Sequence, residues 1–166
     1  MSEERLYDLF HELNILYETI EHHPTHTVEE GRSLRHKILG LDCKNLFMKD
    51  KKDVLWLVVM PGDKRANITN IQKKVGSARL SFGNPELLKE VLGITPGSVT
   101  PFALINDTAR RVKVVLDCDM LNAPMVNFHP LRNTASTSLR STDLLKFIKS
   151  LSYEPQIVNC GTWIED

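Results

Sequence analysis

Residues Leu41 to Asp63 read LDCKNLFMKDKKDVLWLVVMPGD, and their pattern predicts a β-hairpin. The run Val54–Met60 is apolar on both faces, as a strand deep inside a sheet must be. Lys51-Lys52-Asp53 supplies a polar turn, and Lys44–Asp50 the partner strand. Side chains alternate along a strand, so Lys44 shares a face with Leu46 and Met48. An ammonium on an apolar face is costly unless something pairs with it. The hairpin therefore raises a chemical question: what does Lys44 face? From the pattern alone, a lysine reaching past a strand end toward water is a sufficient answer.

Outward from the hairpin, helices and strands interleave. Leu6, Leu9, Phe10 and Leu13 recur at helical spacing behind Ser2, a natural N-cap. Tyr17–Glu21 reads as a short strand, and Thr27-Val-Glu-Glu30 has capping-box spacing for a helix from Val28. Asn67–Val75 reads as a helix ended by Gly76, and Ala78–Phe82 as a strand. Asn84-Pro85-Glu86 opens a helix with a cap, an N1 proline and an acidic first turn; it runs to Leu92 and stops at Gly93. Strands are expected at Phe102–Ile105, Val112–Leu116, Met125–Phe128 and Ala135–Leu139. Ser141 is expected to cap a last helix, and Gln156–Val158 to return to the sheet. Clustered strands with helices between them favour an α+β domain.

Composition bounds the function. At 166 residues the chain is expected to form one domain, residues 1–166, able to bury roughly 70% of its unfolded surface. Formal net charge is zero, which argues against a protein held to long nucleic acid by bulk electrostatics. No apolar run reaches the ~18 residues of a membrane span, and the charged N-terminus lacks a signal-peptide core. Three widely spaced cysteines suggest reduced thiols. A cytoplasmic location is the expectation.

Several segments carry candidate chemistry. Cys43 alternates away from Lys44 and reads as a buried small apolar residue. His22, His23 and His26 cluster, but Pro24 breaks any chelating helix, so no metal and no cofactor are expected. Gly93-Ile-Thr-Pro-Gly-Ser-Val-Thr-Pro101 is a tight loop. It reads as a helix C-cap and turn, or as an N–H cradle for an anion or oxyanion. His129, at a strand end before Pro130, reads first as structural.

Taken together and in order, KNLFMKDKKD (44–53), GITPGSVTPFAL (93–104), VLD (115–117) and NFHPLRNTAST (127–137) resemble the YbaK/ProX family of free-standing aminoacyl-tRNA editing domains, related to the insertion domain of bacterial prolyl-tRNA synthetase. The resemblance covers nearly the whole chain, and Lys-Asn-Leu-Phe looks like the ProX branch. Met48-Lys49 and Ser136 depart from the usual pattern. The resemblance implies a bent mixed sheet flanked by helices and hydrolysis of mischarged tRNA, alanyl-tRNA(Pro) foremost, with cysteinyl editing or a non-catalytic binding module as alternatives. The implied partner is the acceptor end of proline tRNA, with prolyl-tRNA synthetase as a possible associate; no DNA and no membrane are implied. It implies catalytic roles for Lys44, at the terminal adenosine and ester, for Gly97, through backbone N–H groups, and for His129, in the amino-acid pocket. Substrate contacts are implied for Asn45, Gly93, Pro96, Ser98, Asn133 and Thr134. Lys49, Lys51, Lys52, Lys64, Arg65, Lys73 and Lys74 are candidates for the acceptor stem, with solvated surface as the plainer reading of most.

Overall fold

A computed structural model describes residues 2–24 and 40–165. The hairpin forms as its pattern requires. β2 (Leu41–Asp50) pairs antiparallel with β3 (Leu55–Pro61), Lys44 opposite Met60 and Phe47 opposite Leu57. The turn is held by one carboxylate: Asp50 accepts the Lys52 N–H (2.9 Å), the Val54 N–H (3.1 Å) and the Trp56 indole N–H (3.1 Å). Those donors keep the Asp50 carboxyl below its ordinary pKa against the opposing effect of burial. Every residue of β3 is buried.

The other elements are α1 (Glu3–Glu12), β1 (Tyr17–Glu21), β4 (Lys64–Ala66), α2 (Ile68–Val75), β5 (Leu80–Phe82), α3 (Pro85–Leu92), β6 (Val112–Asp117), α4 (Cys118–Asn122), β7 (Met125–Phe128), β8 (Ala135–Arg140), α5 (Ser141–Ser150), β9 (Gln156–Val158) and β10 (Gly161–Trp163). The main sheet runs β1-β8-β7-β2-β3-β6-β9, with β5 also on β2; β4 and β10 form a separate ribbon. β3 therefore lies inside the sheet, between β2 and the parallel β6. Parallel and antiparallel pairs are mixed, and the architecture is α+β. Among the described residues no helix is long and apolar enough to cross a membrane.

Each sheet face has a core. One gathers Leu6, Phe10, Phe102, Phe128 and Phe147 with α3 and α5; the rings of Phe10, Phe102 and Phe147 meet edge-on at 5.4–5.7 Å. Each such buried side chain contributes about 1.5–3 kcal/mol. The smaller core holds Met48, Trp56, Val58, Met60 and Ile71. Helix ends follow the sequence: Ser2, Asn67 and Asn84 cap with their side chains, and Gly76 and Gly93 close α2 and α3 in the left-handed region.

Two expectations are corrected. Phe102–Ile105 is no strand but part of a 3₁₀ helix, Pro101–Asn106, with Pro101 at its first position and the Thr100 hydroxyl accepting the Phe102 N–H (3.2 Å). Pro101 through Ile105 are all buried, so the run had no period to show. Ser141 does not cap α5: Arg140 holds the cap position without a side-chain bond, and Ser141 Oγ donates to the Leu121 carbonyl (3.1 Å). The helix expected from Val28 lies outside the described residues.

Candidate active site

The ends of β1, β8, β7 and β2, adjacent in that order, carry one polar row. His22 follows β1; its N–H donates to the Thr134 carbonyl (2.9 Å), and its ring meets Ser136 Oγ through Nε2 (2.8 Å). His129 follows β7. The β7–β8 register pairs Phe128 with Thr137; one residue further it sets His129 across from Ser136. The His22 and His129 rings lie 6.2 Å apart. The β2–β7 register pairs Asp42 with Asn127 and ends there; Lys44 lies two residues further along β2, and His129 two residues further along the chain of β7. Cross-strand partners share a face. Cys43, Phe128 and Leu139 pack into the larger core, so Lys44, His129 and Ser136 point to the opposite face, where Leu46 and Met48 join the smaller core.

Lys44 is half-buried, and its ammonium titrates below the ordinary lysine value. Burial is the main cause, Asp63 opposes it, and Arg65 adds to it. Asp63 is thus an acidic neighbour of Lys44 that the sequence did not reveal. His129 is lowered too, first by burial and further by His22, against the bond to Ala135. Its Nδ1 lies 2.9 Å from the Ala135 carbonyl. A carbonyl can only accept, so Nδ1 carries the proton and Nε2 presents a lone pair. Among the described residues Nε2 has no hydrogen-bond partner.

β2 also changes neighbours here. β7 accompanies it at Leu41–Asp42 and β5 at Met48–Asp50. Between them, among the described residues, no strand covers that edge. The Phe47 carbonyl accepts from Gly83 on the open side, whereas the Asp42 carbonyl accepts from Gly62 on the β3 side. By alternation the Asn45 N–H and carbonyl face the opening. The Asn45 side chain points with Cys43 and Phe47, away from Lys44, and among the described residues its buried Oδ1 has no partner.

The remaining candidates form a second group. Gly97 lies in a short 3₁₀ turn, Pro96–Ser98. A Cβ there would lie 3.3 Å from Asn133 Nδ2, so the loop abuts Asn133. Ser98 is buried, whereas Gly93 and Pro96 are exposed. Thr134 Oγ1 accepts from Arg132 (2.8 Å), which also pairs with Glu3 and Glu21 (both 2.6 Å). That clamp ties the Asn133–Thr134 loop to α1 and β1. Among the described residues no hydrogen bond or ion pair joins this group to Lys44.

Lys64 is neither acceptor-stem contact nor solvated surface. It is fully buried, bonded to Asp117 (2.9 Å), Asn159 (2.9 Å) and Asp119 (2.7 Å). Its ammonium lies 5.4 Å from the Trp163 ring centre. Asp117, Cys118 and Asp119 lie close enough to suit a metal ion, but the Lys64 ammonium already supplies the cation to both carboxylates. Cys43 is no activated nucleophile: burial, with Asp42 and Asp117, pushes its thiol far up.

Comparison with known proteins gives the family and the fold. A crystal structure of a candidate trans-editing enzyme for prolyl tRNA synthetase superposes with a TM-score of 0.74 at 20% identity, covering 97% of this chain and 98% of that one; at that identity it shows the fold. Residues 22–147 match the aminoacyl-tRNA editing domain family, and the chain belongs to that family. The prolyl-tRNA editing protein ProX of Acetoanaerobium sticklandii is 36% identical over 140 residues, 84% of this chain and 85% of its own. The prolyl-tRNA synthetase associated domain-containing protein 1 of Bos taurus is 38% identical over 152 residues, 89% and 88% of the two chains.

Proposed function

We propose that this chain is a trans-editing deacylase that clears a small mischarged amino acid, alanine foremost, from proline tRNA. Family membership and the name carried by the Acetoanaerobium relative support the tRNA. The observation that carries the chemistry is a partly desolvated ammonium, Lys44, at an open strand edge, on the same sheet face as a neutral imidazole, His129. With no activated thiol, water attacks the ester carbonyl carbon. The bond from that carbon to the ribose oxygen breaks, the ribose oxygen takes a proton, and the free amino acid leaves. Lys44 grips the terminal phosphate or ester. The carbonyl oxygen is met by backbone N–H groups, Asn45 at the β2 edge and the Gly97 loop. A ribose hydroxyl of the substrate assists the water. His129 lines the amino-acid pocket, and bulk excludes proline: overlap in a packed pocket costs about 1–3 kcal/mol.

The test is a panel of aminoacyl groups on one proline tRNA. Alanine should be released fastest, serine and glycine more slowly, and proline hardly at all. Equal alanyl and prolyl rates, or a preference for cysteinyl esters, would sink the alanine assignment. Binding of aminoacyl-tRNA without release would make the chain a binding module.

A further inference from the structure

The polar row has a direction. At one end Lys44 offers only donors. At the other, the donors are already committed. His129 Nδ1–H is spent on the Ala135 carbonyl (2.9 Å). His22 Nδ1 lies 2.8 Å from the His23 carbonyl and carries a proton for the same reason; in the neutral ring Nε2 then accepts the Ser136 O–H (2.8 Å). A hydroxyl has one proton and two lone pairs. Once that proton is given to His22, Ser136 Oγ can only accept. His129 Nε2 and Ser136 Oγ, opposite each other across β7 and β8, thus present lone pairs and no hydrogens. Ser136 is buried, and the His22 main chain is tied to Thr134, so the arrangement is fixed before any ligand arrives.

An acceptor-only surface selects a donor. An aminoacyl ester carries one group that is all donors, its α-ammonium, and its carbonyl and phosphate are acceptors suited to Lys44. We infer that Ser136 and His129 form a subsite for the α-ammonium group of the substrate, and that His22 is a positioning residue that turns the Ser136 hydroxyl to accept. The inference rests on the deacylase reading above. It fixes the orientation of the ester along the row, and it distinguishes aminoacyl-tRNA from tRNA whose amino group is acylated.

The experiment compares alanyl and N-acetylalanyl esters on the same proline tRNA, each rate divided by its spontaneous hydrolysis. The wild-type protein should favour the free amine by roughly tenfold or more, the size of one charge-assisted hydrogen bond. Ser136→Ala should bring that preference toward parity by lowering the alanyl rate more than the N-acetyl rate. Ser136→Thr, which keeps a hydroxyl, should retain the preference. His22→Phe, which keeps the ring but not the acceptor, should erode it. A merely structural role would lower both rates together, and that result, or equal wild-type rates for the two esters, overturns the subsite. Thermal melting of each variant separates misfolding from a changed preference. A wild-type protein that releases amino acid from no ester overturns the deacylase reading, and is told apart because no substitution is involved.

Discussion

Two lysines, Lys44 on β2 and Lys64 on β4, meet opposite fates. Lys64 is sealed in, and its ammonium titrates above the ordinary lysine value: burial works against the charge, but Asp119 and Asp117 more than restore it. Lys44 is only half-buried, yet titrates below the ordinary value because burial outweighs Asp63. The first charge is satisfied by the fold. The second is held partly desolvated, on an open strand edge and on the same sheet face as a neutral imidazole. A charge kept in an unfavourable state by its surroundings is a functional-site signal; a charge that its surroundings neutralise is a structural tie.

The sharpest way to break this contrast is to replace both ammonium groups by the same uncharged chain. Lys64→Met leaves Asp117, fully buried, without its cation, and removing one partner of a buried pair costs about 3–5 kcal/mol. Urea unfolding should show that loss. Lys44→Met leaves no buried carboxylate stranded and relieves a desolvated charge, so it should unfold at the wild-type midpoint or slightly above. Its turnover should fall on the order of a hundredfold to a thousandfold, the scale of one lost oxyanion donor. Lys44→Arg should rescue little, since a broad guanidinium does not replace a point charge. A Lys44→Met protein that unfolds, or stays fully active, removes Lys44 from the site; an unperturbed Lys64→Met protein removes the structural tie.

Alkaline titration sharpens the same comparison without substitutions. Lys44 is lowered, so its ammonium is lost before that of an ordinary lysine as pH rises. Lys64 is raised in the folded state. Its stabilisation is fully present below the unfolded lysine pKa and is lost only as pH climbs through the higher folded value. The free-enzyme profile, kcat/KM corrected for spontaneous ester hydrolysis, should therefore fall at a lower pH than the circular-dichroism signal of unfolding. Coincident transitions would mean that one group governs both.

The difference between the lysines also marks what the sequence could show. Lys44 was legible because its neighbours alternate: Leu46 and Met48 fix its face, and the apolar run Leu55–Met60 fixes the strand beside it. Lys64 was not, because its partner Asp117 is 53 residues away and Asn159 is 95 away. Lys64 sits on β4, which pairs with β10, and both are three residues long, too short for a period. The 3₁₀ helix at Pro101–Asn106 was misread because burial all round leaves no periodicity. The motif segments found Lys44, His129 and Gly97, and the structure divides them, with Lys44 and His129 on one row and Gly97 against Asn133. His22 was noticed only as one of a histidine cluster, since its partner Ser136 lies across β1 and β8.

Gly97 supplies the smallest expected effect and a check on that division. Its backbone is not left-handed, so alanine brings no conformational strain, and among the described residues the only near contact of a new Cβ is Asn133 Nδ2 at 3.3 Å. An amide at the end of a side chain can yield a few tenths of an ångström. Gly97→Ala should therefore fold normally and lose activity several-fold, by roughly 1 kcal/mol, the low end of overpacking. Two causes would give that loss: a displaced Asn133, or a methyl group standing where the ester approaches the loop. A double-mutant cycle separates them. If Asn133 is the intermediary, Gly97→Ala should cost nothing further in an Asn133→Ala background, because the obstructed amide is gone. If the loop itself meets the ester, the same several-fold loss should persist there. Persistence would join Gly97 to the Lys44 row through the substrate; disappearance would leave it a spacer for the Asn133 loop that the Arg132 clamp holds.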